Sequence, residues 1–363
     1  MLLIAAVTLS QAAEDLQAKL TYHHQLESAA RMPVAVSPDG KRLLYFTRTR
    51  ASGEREAKTG FTYMLADIDG GNPRALFETP VEWDDCLNTV MTDAVFSADG
   101  KRIAVATTDN GRLLRDGENP GRVVPAIVDL AVAEKDPSTK PAMTKCELGS
   151  CGGFGFLGDD LLVLDSPGLI SGQGYRLTLH ADQSREIHAD EKAAASALRI
   201  SPNGSYAVFF ISTHVASSIV QLRFVDLETG KVVDSPQFRS QNVTFDGRPQ
   251  LFWDAEGQGV FCHVSTHARS KWPYELTHYR FADGKGEVVA PSRNIGASST
   301  LGEGRIALWH PEAGGCSVLD LATRKLFRLP EHNYIIGGRG NRAVIADLER
   351  DAIYCATVDL ADE

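Results

Sequence analysis

Bulky apolar residues, each followed by a short polar turn, recur along the chain. Val36 precedes Ser37-Pro38-Asp39-Gly40, Phe96 precedes Ser97-Ala98-Asp99-Gly100, Ile200 precedes Ser201-Pro202-Asn203-Gly204 and Trp253 precedes Asp254-Ala255-Glu256-Gly257. Apolar β-type runs flank each turn, as in Leu43-Leu44-Tyr45-Phe46 and Ile103-Ala104-Val105-Ala106. Pro or Ala suits the negative φ of the first turn position, Asp or Asn can hydrogen-bond its own backbone, and Gly takes the positive φ before the next strand. Each word therefore predicts a tight hairpin whose first strand ends on the bulky residue.

Weaker copies follow the same logic. Phe156-Leu157-Gly158-Asp159-Asp160 precedes Leu161-Leu162-Val163-Leu164, Leu301-Gly302-Glu303-Gly304 precedes a run to Trp309, and Gly338-Arg339-Gly340-Asn341 precedes Ala343-Val344-Ile345-Ala346. A second hairpin follows in several units, turning at Asp67 to Gly71, Asp226 to Gly230, Phe281 to Gly284 and Asp320 to Thr323. Repeats of this size cannot bury their faces alone. The pattern predicts an all-β protein, a seven-bladed β-propeller of four-stranded antiparallel blades.

The last blade runs out of chain before its outer strand. The alternating segment Leu20-Thr21-Tyr22-His23-His24 could supply it against Ile353 to Val358, closing the ring with an N-terminal strand and removing exposed edges. An ordinary first strand or a short helix is the alternative for that segment. Residues 183–197 look helical by propensity and read as a connection between blades three and four.

Composition fits one ring. The 363 residues are 43% hydrophobic and 23% charged with 32 glycines, enough for a single β domain over residues 14–363, expected to be a monomer. A net charge of -10 without a Lys/Arg run argues against nucleic acid. Met1 to Leu9 is apolar and small residues follow to Ala13, which predicts a signal peptide over residues 1–13 and a periplasmic or secreted protein. The competing reading is an apolar first strand in a cytosolic protein. No other apolar run is long enough for a membrane span. Cys146 and Cys151 could form a local disulfide after export, with Cys86 as a rival partner, whereas Cys262, Cys316 and Cys355 sit inside strands as small hydrophobes. No cofactor and no structural metal are expected, since no C-x-x-C pair occurs.

The stretches Val36 to Phe46 and Phe96 to Val105, each carrying the turn word followed by Lys-Arg, resemble the repeats of TolB-type propellers. They are also similar to repeats in the propeller domains of prolyl-oligopeptidase-like peptidases. The likeness is strongest in blades one, two and four. It implies the fold and little about activity, because one fold hosts many functions. The resemblance is expected to cover the propeller alone, without TolB's separate N-terminal domain or a peptidase domain, and no G-x-S-x-G elbow appears in these residues.

In such a repeat the tight hairpins share one face, and the second-to-third-strand loops and blade connections share the other. The latter are long here, at residues 48–60, 81–92, 109–122, 165–174 and 266–273. Rigid scaffolds commonly carry function on such loops. Arg50, Asn110, His214 and His267 stand ten residues past the marker glycines of their blades, with Arg48, Arg112, Arg115 and Arg269 as nearby cations and Trp83, Asp84 and Trp272 beside them. These residues form the candidate binding set for a protein or glycan partner. Solvated loop residues are the bland reading of each. His263 and His310 occupy like positions in neighbouring blades and, with His214 and His267, raise the alternative of a metal-dependent polysaccharide lyase or hydrolase, acting on oligouronides. No carboxylate or glutamine completes that set. The expectation is a non-catalytic extracytoplasmic propeller.

Overall fold

The computed structural model describes residues 16–26, 35–50, 59–79, 94–108, 123–136, 142–144, 146, 148, 151–166, 174–212, 219–239, 251–254, 256–265, 274–291, 297–302, 304–310 and 315–360. These form seven sheets, antiparallel but for one short edge pairing in blade six, arranged as the blades of a propeller. Blade one comprises Ala35–Val36, Arg42–Arg50, Thr59–Asp67 and Arg74–Thr79, from the axis outwards. Blade two comprises Ala94–Phe96, Arg102–Thr108, Val123–Asp129 and Ala142–Met143. In blade three the strands are Cys151–Leu157, Asp160–Asp165, Tyr175–His180 and Arg185–Asp190, and in blade four Ala194–Ile200, Tyr206–Ser212, Ile219–Asp226 and Val232–Asp234. Blade five holds Leu251–Trp253, Gly259–Ser265, Tyr274–Arg280 and Gly286–Pro291. Blade six holds Ala297–Gly302, Arg305–His310, Gly315–Asp320 and Lys325–Arg328, and blade seven Asn333–Arg339, Arg342–Asp347 and Ala352–Asp359.

The repeated turn word works as its chemistry demands. Gly40 N–H donates to Ser37 O at 2.9 Å with Gly40 at φ 70°, and the Ser37 hydroxyl donates to Asp39 Oδ1 while accepting from Arg42 N–H. Ser97 and Ser201 repeat the arrangement. Ser37 and Ser97 are 0% exposed, so the serine is a buried hydroxyl fully used by its own turn.

Core forms between blades rather than within them. Leu44, Leu65, Leu76 and Phe77 of blade one pack on Ile103, Val105, Ala126 and Val128 of blade two, and blades three and four share Leu162, Leu177, Phe209 and Val225. Each blade thus buries both faces against its neighbours, which is why a ring is the stable assembly.

The N-terminal strand closes the ring. Lys19–Leu26 pairs antiparallel with Ala352–Asp359 in the register Leu20 to Val358 and Leu26 to Ile353, and the Tyr22 hydroxyl donates to Asn333 Oδ1 at 2.6 Å. An unforeseen pairing precedes it. Leu16–Gln17 lies parallel to the outer strand of blade six, with Leu16 opposite Phe327, so one N-terminal segment seals two adjacent blades.

Residues 183–197 are not a helix. They complete the outer strand of blade three and begin the innermost strand of blade four, with Ala193, Ala194 and Ala195 buried. Small side chains are needed there because blades three and four approach closely at the axis: a Cβ on Gly152 would lie 2.9 Å from Ala195 O. Packing overrides helix propensity. The single turn of helix among the described residues is Leu130–Ala133 in blade two, capped by Asp129, whose Oδ1 accepts from Val132 N–H. A two-residue strand, Phe238–Arg239, also pairs with Ile219–Val220 in blade four. Residues 1–13, expected to be a signal peptide, lie outside the described residues. Among the described residues no helix is long and apolar enough to cross a membrane.

Candidate functional site

The chain order fixes which connections share a face. Those between second and third strands, through residues 51–58, 109–122, 167–173, 213–218 and 266–273, leave one face together with the connections between blades. The hairpins marked by Gly40, Gly100, Gly158, Gly204, Gly257, Gly304 and Gly340 leave the other. Arg48 and Arg50 stand at the long-loop end of the second strand of blade one. Their side chains, and the residues Trp83, Asp84, Asn110, Arg112, Arg115, His214, His267, Arg269 and Trp272, lie outside what is described. The side chains of His263 and His310 do so too.

What is described at this face is a set of polar groups locked between blades three and four. The Arg223 guanidinium donates to Asp190 at 2.7 Å, to both oxygens of Asp234 and to the Tyr175 hydroxyl at 2.9 Å. Burial opposes the charge of Arg223, but those acceptors outweigh it and raise its pKa. Burial also pushes the Tyr175 hydroxyl up to about 12. His188, beside Tyr175, is held towards its neutral form by burial and by Arg223, and its Nε2 finds no hydrogen-bond partner among the described residues. Nearer the axis, Asp165 is 6% exposed and accepts from Leu148 N–H at 2.8 Å, while the Ser166 hydroxyl accepts from Ala195 N–H. The contact with Leu148 ties the connection into blade three to the second strand of that blade.

Cys146 and Cys151 are buried in one cluster with Val163 and Phe154, where the Cys151 thiol donates to Gly153 O at 3.2 Å. Cys262, Cys316 and Cys355 are buried inside strands as expected, and burial raises all three thiols, Cys316 to about 11.

A cavity opens on the opposite face, which the tight turns had made look featureless. It measures about 500 Å³ and is lined by residues at the hairpin ends of blades one, six and seven, including Asp39, Arg305, Arg339, Asn341, Arg342 and Asp359. Sequence reasoning missed it because these arginines flank marker glycines in two of the weaker repeats. The signal was present in Gly304-Arg305 and Arg339-Gly340-Asn341-Arg342. Among the described residues no group of three or more His, Cys, Asp and Glu side chains could hold a metal ion.

No protein family matches the sequence, and no curated protein is similar to it. Solved structures share the fold. A prolyl endopeptidase is similar over 96% of this chain and 50% of its own, at 14% identity and TM-score 0.57. The β-propeller domain of the Trilobed protease from Pyrococcus furiosus is similar over 94% of this chain and 100% of its own, at 12% identity and TM-score 0.56. TolB from Acinetobacter baumannii matches 89% of this chain and 65% of its own, at 14% identity and TM-score 0.42. The chain therefore spans half the length of that prolyl endopeptidase and just under two thirds of that TolB. At these identities the first two likenesses show the propeller fold alone. The Pyrococcus domain has an open velcro topology, whereas here Lys19–Leu26 closes the last blade.

Proposed function

We propose that this chain is a non-catalytic propeller acting outside the cytoplasm, which binds a protein or glycan partner through its long-loop face. The observation that supports the reading is the division of the two faces. Seven Gly-marked hairpins turn on one side, while the longer connections between second and third strands belong to the other, where Arg223 links blades three and four and Asp165 accepts from Leu148 N–H. Loops on a fixed scaffold are suited to recognition. Arg50, Asn110, His214 and His267 would meet the partner's polar groups, with Trp272 as the aromatic anchor.

The test compares capture of a partner from envelope extracts by the wild-type chain, by Arg50→Ala/Trp272→Ala and by a control pair on the short-turn face, Lys41→Ala/Lys231→Ala. Truncating an anchor at a hot spot costs on the order of 2 kcal/mol or more. Loss of capture by the control pair alone would place the partner on the wrong face. The extracytoplasmic part of the reading is tested separately. Peptide mapping without reduction of protein recovered from an oxidising compartment is expected to show Cys146 linked to Cys151. The lyase alternative needs a metal held by histidines, and metal analysis of the purified chain with its oligouronide-cleaving activity decides it.

A further inference from the structure

On the face opposite the proposed partner surface, we infer that the cavity between blades one, six and seven binds a small hydroxylated anion, a sugar bearing a carboxylate or a phosphate. Arg305, Arg339 and Arg342 take the oxyanion, while Asp39 and Asp359 accept from the hydroxyls.

Size and charge both point this way. A volume of about 500 Å³ lies within the range of small-molecule sites, and the lining is polar except for two glycines, Val358 and Leu360. Three guanidinium groups against two carboxylates make this a cationic pocket in a chain of net charge -10. Guanidinium forks match the paired oxygens of carboxylate and phosphate.

The cations are placed but not used up. Arg339 ends the innermost strand of blade seven, and its stem passes the turn glycines of both neighbours: a Cβ on Gly40 would lie 3.8 Å from its Cδ and one on Gly302 3.9 Å from its Cγ. Its guanidinium has no hydrogen-bond or ion-pair partner among the described residues. Arg342 is oriented by one nitrogen, Nη1, which donates to Thr357 Oγ1 at 2.8 Å and to His23 Nε2 at 2.7 Å, leaving its other nitrogens without a described partner. Among the described residues Arg305 has one long contact, 3.8 Å from Asp320, and partly exposed pairs of that kind hold a side chain weakly.

The carboxylates are likewise half engaged. Asp39 Oδ1 accepts from Ser37 and from Lys41 N–H, whereas Oδ2 has no partner among the described residues. No ion pair within 4.0 Å joins Asp39 or Asp359 to the three arginines, although all five line one cavity. Opposite charges are thus held apart around a void instead of neutralising one another, which suits a ligand that carries both an oxyanion and hydroxyl donors.

Isothermal titration of the full chain with D-glucuronate, D-glucose 6-phosphate and D-glucose tests the proposal. Saturable binding of at least one sugar anion is expected, with D-glucose weaker by about tenfold or more, since only the anion engages the guanidinium groups. Arg339→Ala is expected to weaken binding by about tenfold, Arg339→Lys by less because a point charge remains, and Lys101→Ala, at the hairpin of blade two, not at all. A preference for glucuronate or for glucose 6-phosphate identifies the oxyanion. Failure of both anions to bind, equal binding of D-glucose, or wild-type binding by a folded Arg339→Ala chain overturns the proposal. The partner surface is on the other face, so either reading can fail alone.

Discussion

Arg102 Nη2 in blade two donates to Asp159 Oδ1 at 2.6 Å, across the gap to the hairpin turn of blade three. The same guanidinium sits 5.4 Å from the ring centre of Phe156. Arg42, two residues past the marker glycine of blade one, likewise reaches Gly100 O of blade two and the Phe96 ring. In blade four the equivalent residue is Tyr206, stacked at 3.9 Å on Phe281 of blade five. One repeat position therefore laces each of these blades to the next.

The ion pair itself is the minor part of that lacing. Asp159 is 84% exposed, so Asp159→Asn is expected to change stability by under about 0.5 kcal/mol. Arg102→Ala removes the stem and the ring contact as well and should cost about 1 kcal/mol. Urea unfolding of both variants checks this; equal losses would give the charge pair the larger share.

Ring closure by the N-terminal strand can be probed at Leu26, which is 5% exposed among Leu43, Val344, Ile353 and Cys355. Leu26→Ala is expected to cost about 2–4 kcal/mol, as a cavity in a packed core does. Lys19→Ala on the same strand, exposed to solvent, should stay within about 0.5 kcal/mol. Comparable midpoints for the two variants would show that the strand contributes little.

Gly259 is required by its neighbours. A Cβ there would fall 2.7 Å from Tyr279 O and collide with the His278 ring, which stacks on Phe261 and meets Asp254 Oδ2 at 2.9 Å. Gly259→Ala should therefore destabilise the chain by about 2 kcal/mol or more, since backbone cannot yield. A melting temperature equal to wild type would refute the steric argument.

Acid should loosen the turns. The Ser37 hydroxyl and Lys41 N–H hold Asp39 below the ordinary carboxylate value of 3.8, and Thr229 N–H, against the opposing effect of burial, does the same for Asp226. Carboxylates depressed in the folded state contribute stability that is present above 3.8 and lost as pH falls through their folded values. Denaturant midpoints measured from pH 6 downwards should drop in that window, and by less in Asp39→Asn/Asp226→Asn. An unchanged acid limb in the double variant would assign the loss to other carboxylates.

Much of the fold was written at single positions. A turn that needs a positive φ needs glycine, so Gly40, Gly100, Gly158, Gly204, Gly257, Gly304 and Gly340 marked the seven innermost hairpins, all at φ between 61° and 72°. Burial of the turn serine explains why Ser37, Ser97 and Ser201 recur. The Ala-rich run at 193–195 misled because its small residues answer a close approach of two strands distant in sequence, which local propensity does not encode. Leu16–Gln17 was invisible for another reason: two residues carry no periodicity. The cavity escaped because Arg305, Arg339 and Arg342 converge only when blades six, seven and one are brought round to meet.

The pairing of Lys19–Leu26 with Ala352–Asp359 also sets a clock. Leu16 meets Phe327 and Leu20 meets Val358, contacts between opposite ends of the chain, and contacts so distant in sequence are the slowest to form. Lys19–Leu26 is made before any blade, and its partner strand follows only once Ala352–Asp359 is made. Six blades can nucleate on their neighbours as they are made, but the seventh must wait for the ends to find each other. During that wait an unpaired strand edge is open to other chains, and aggregation competes with closure.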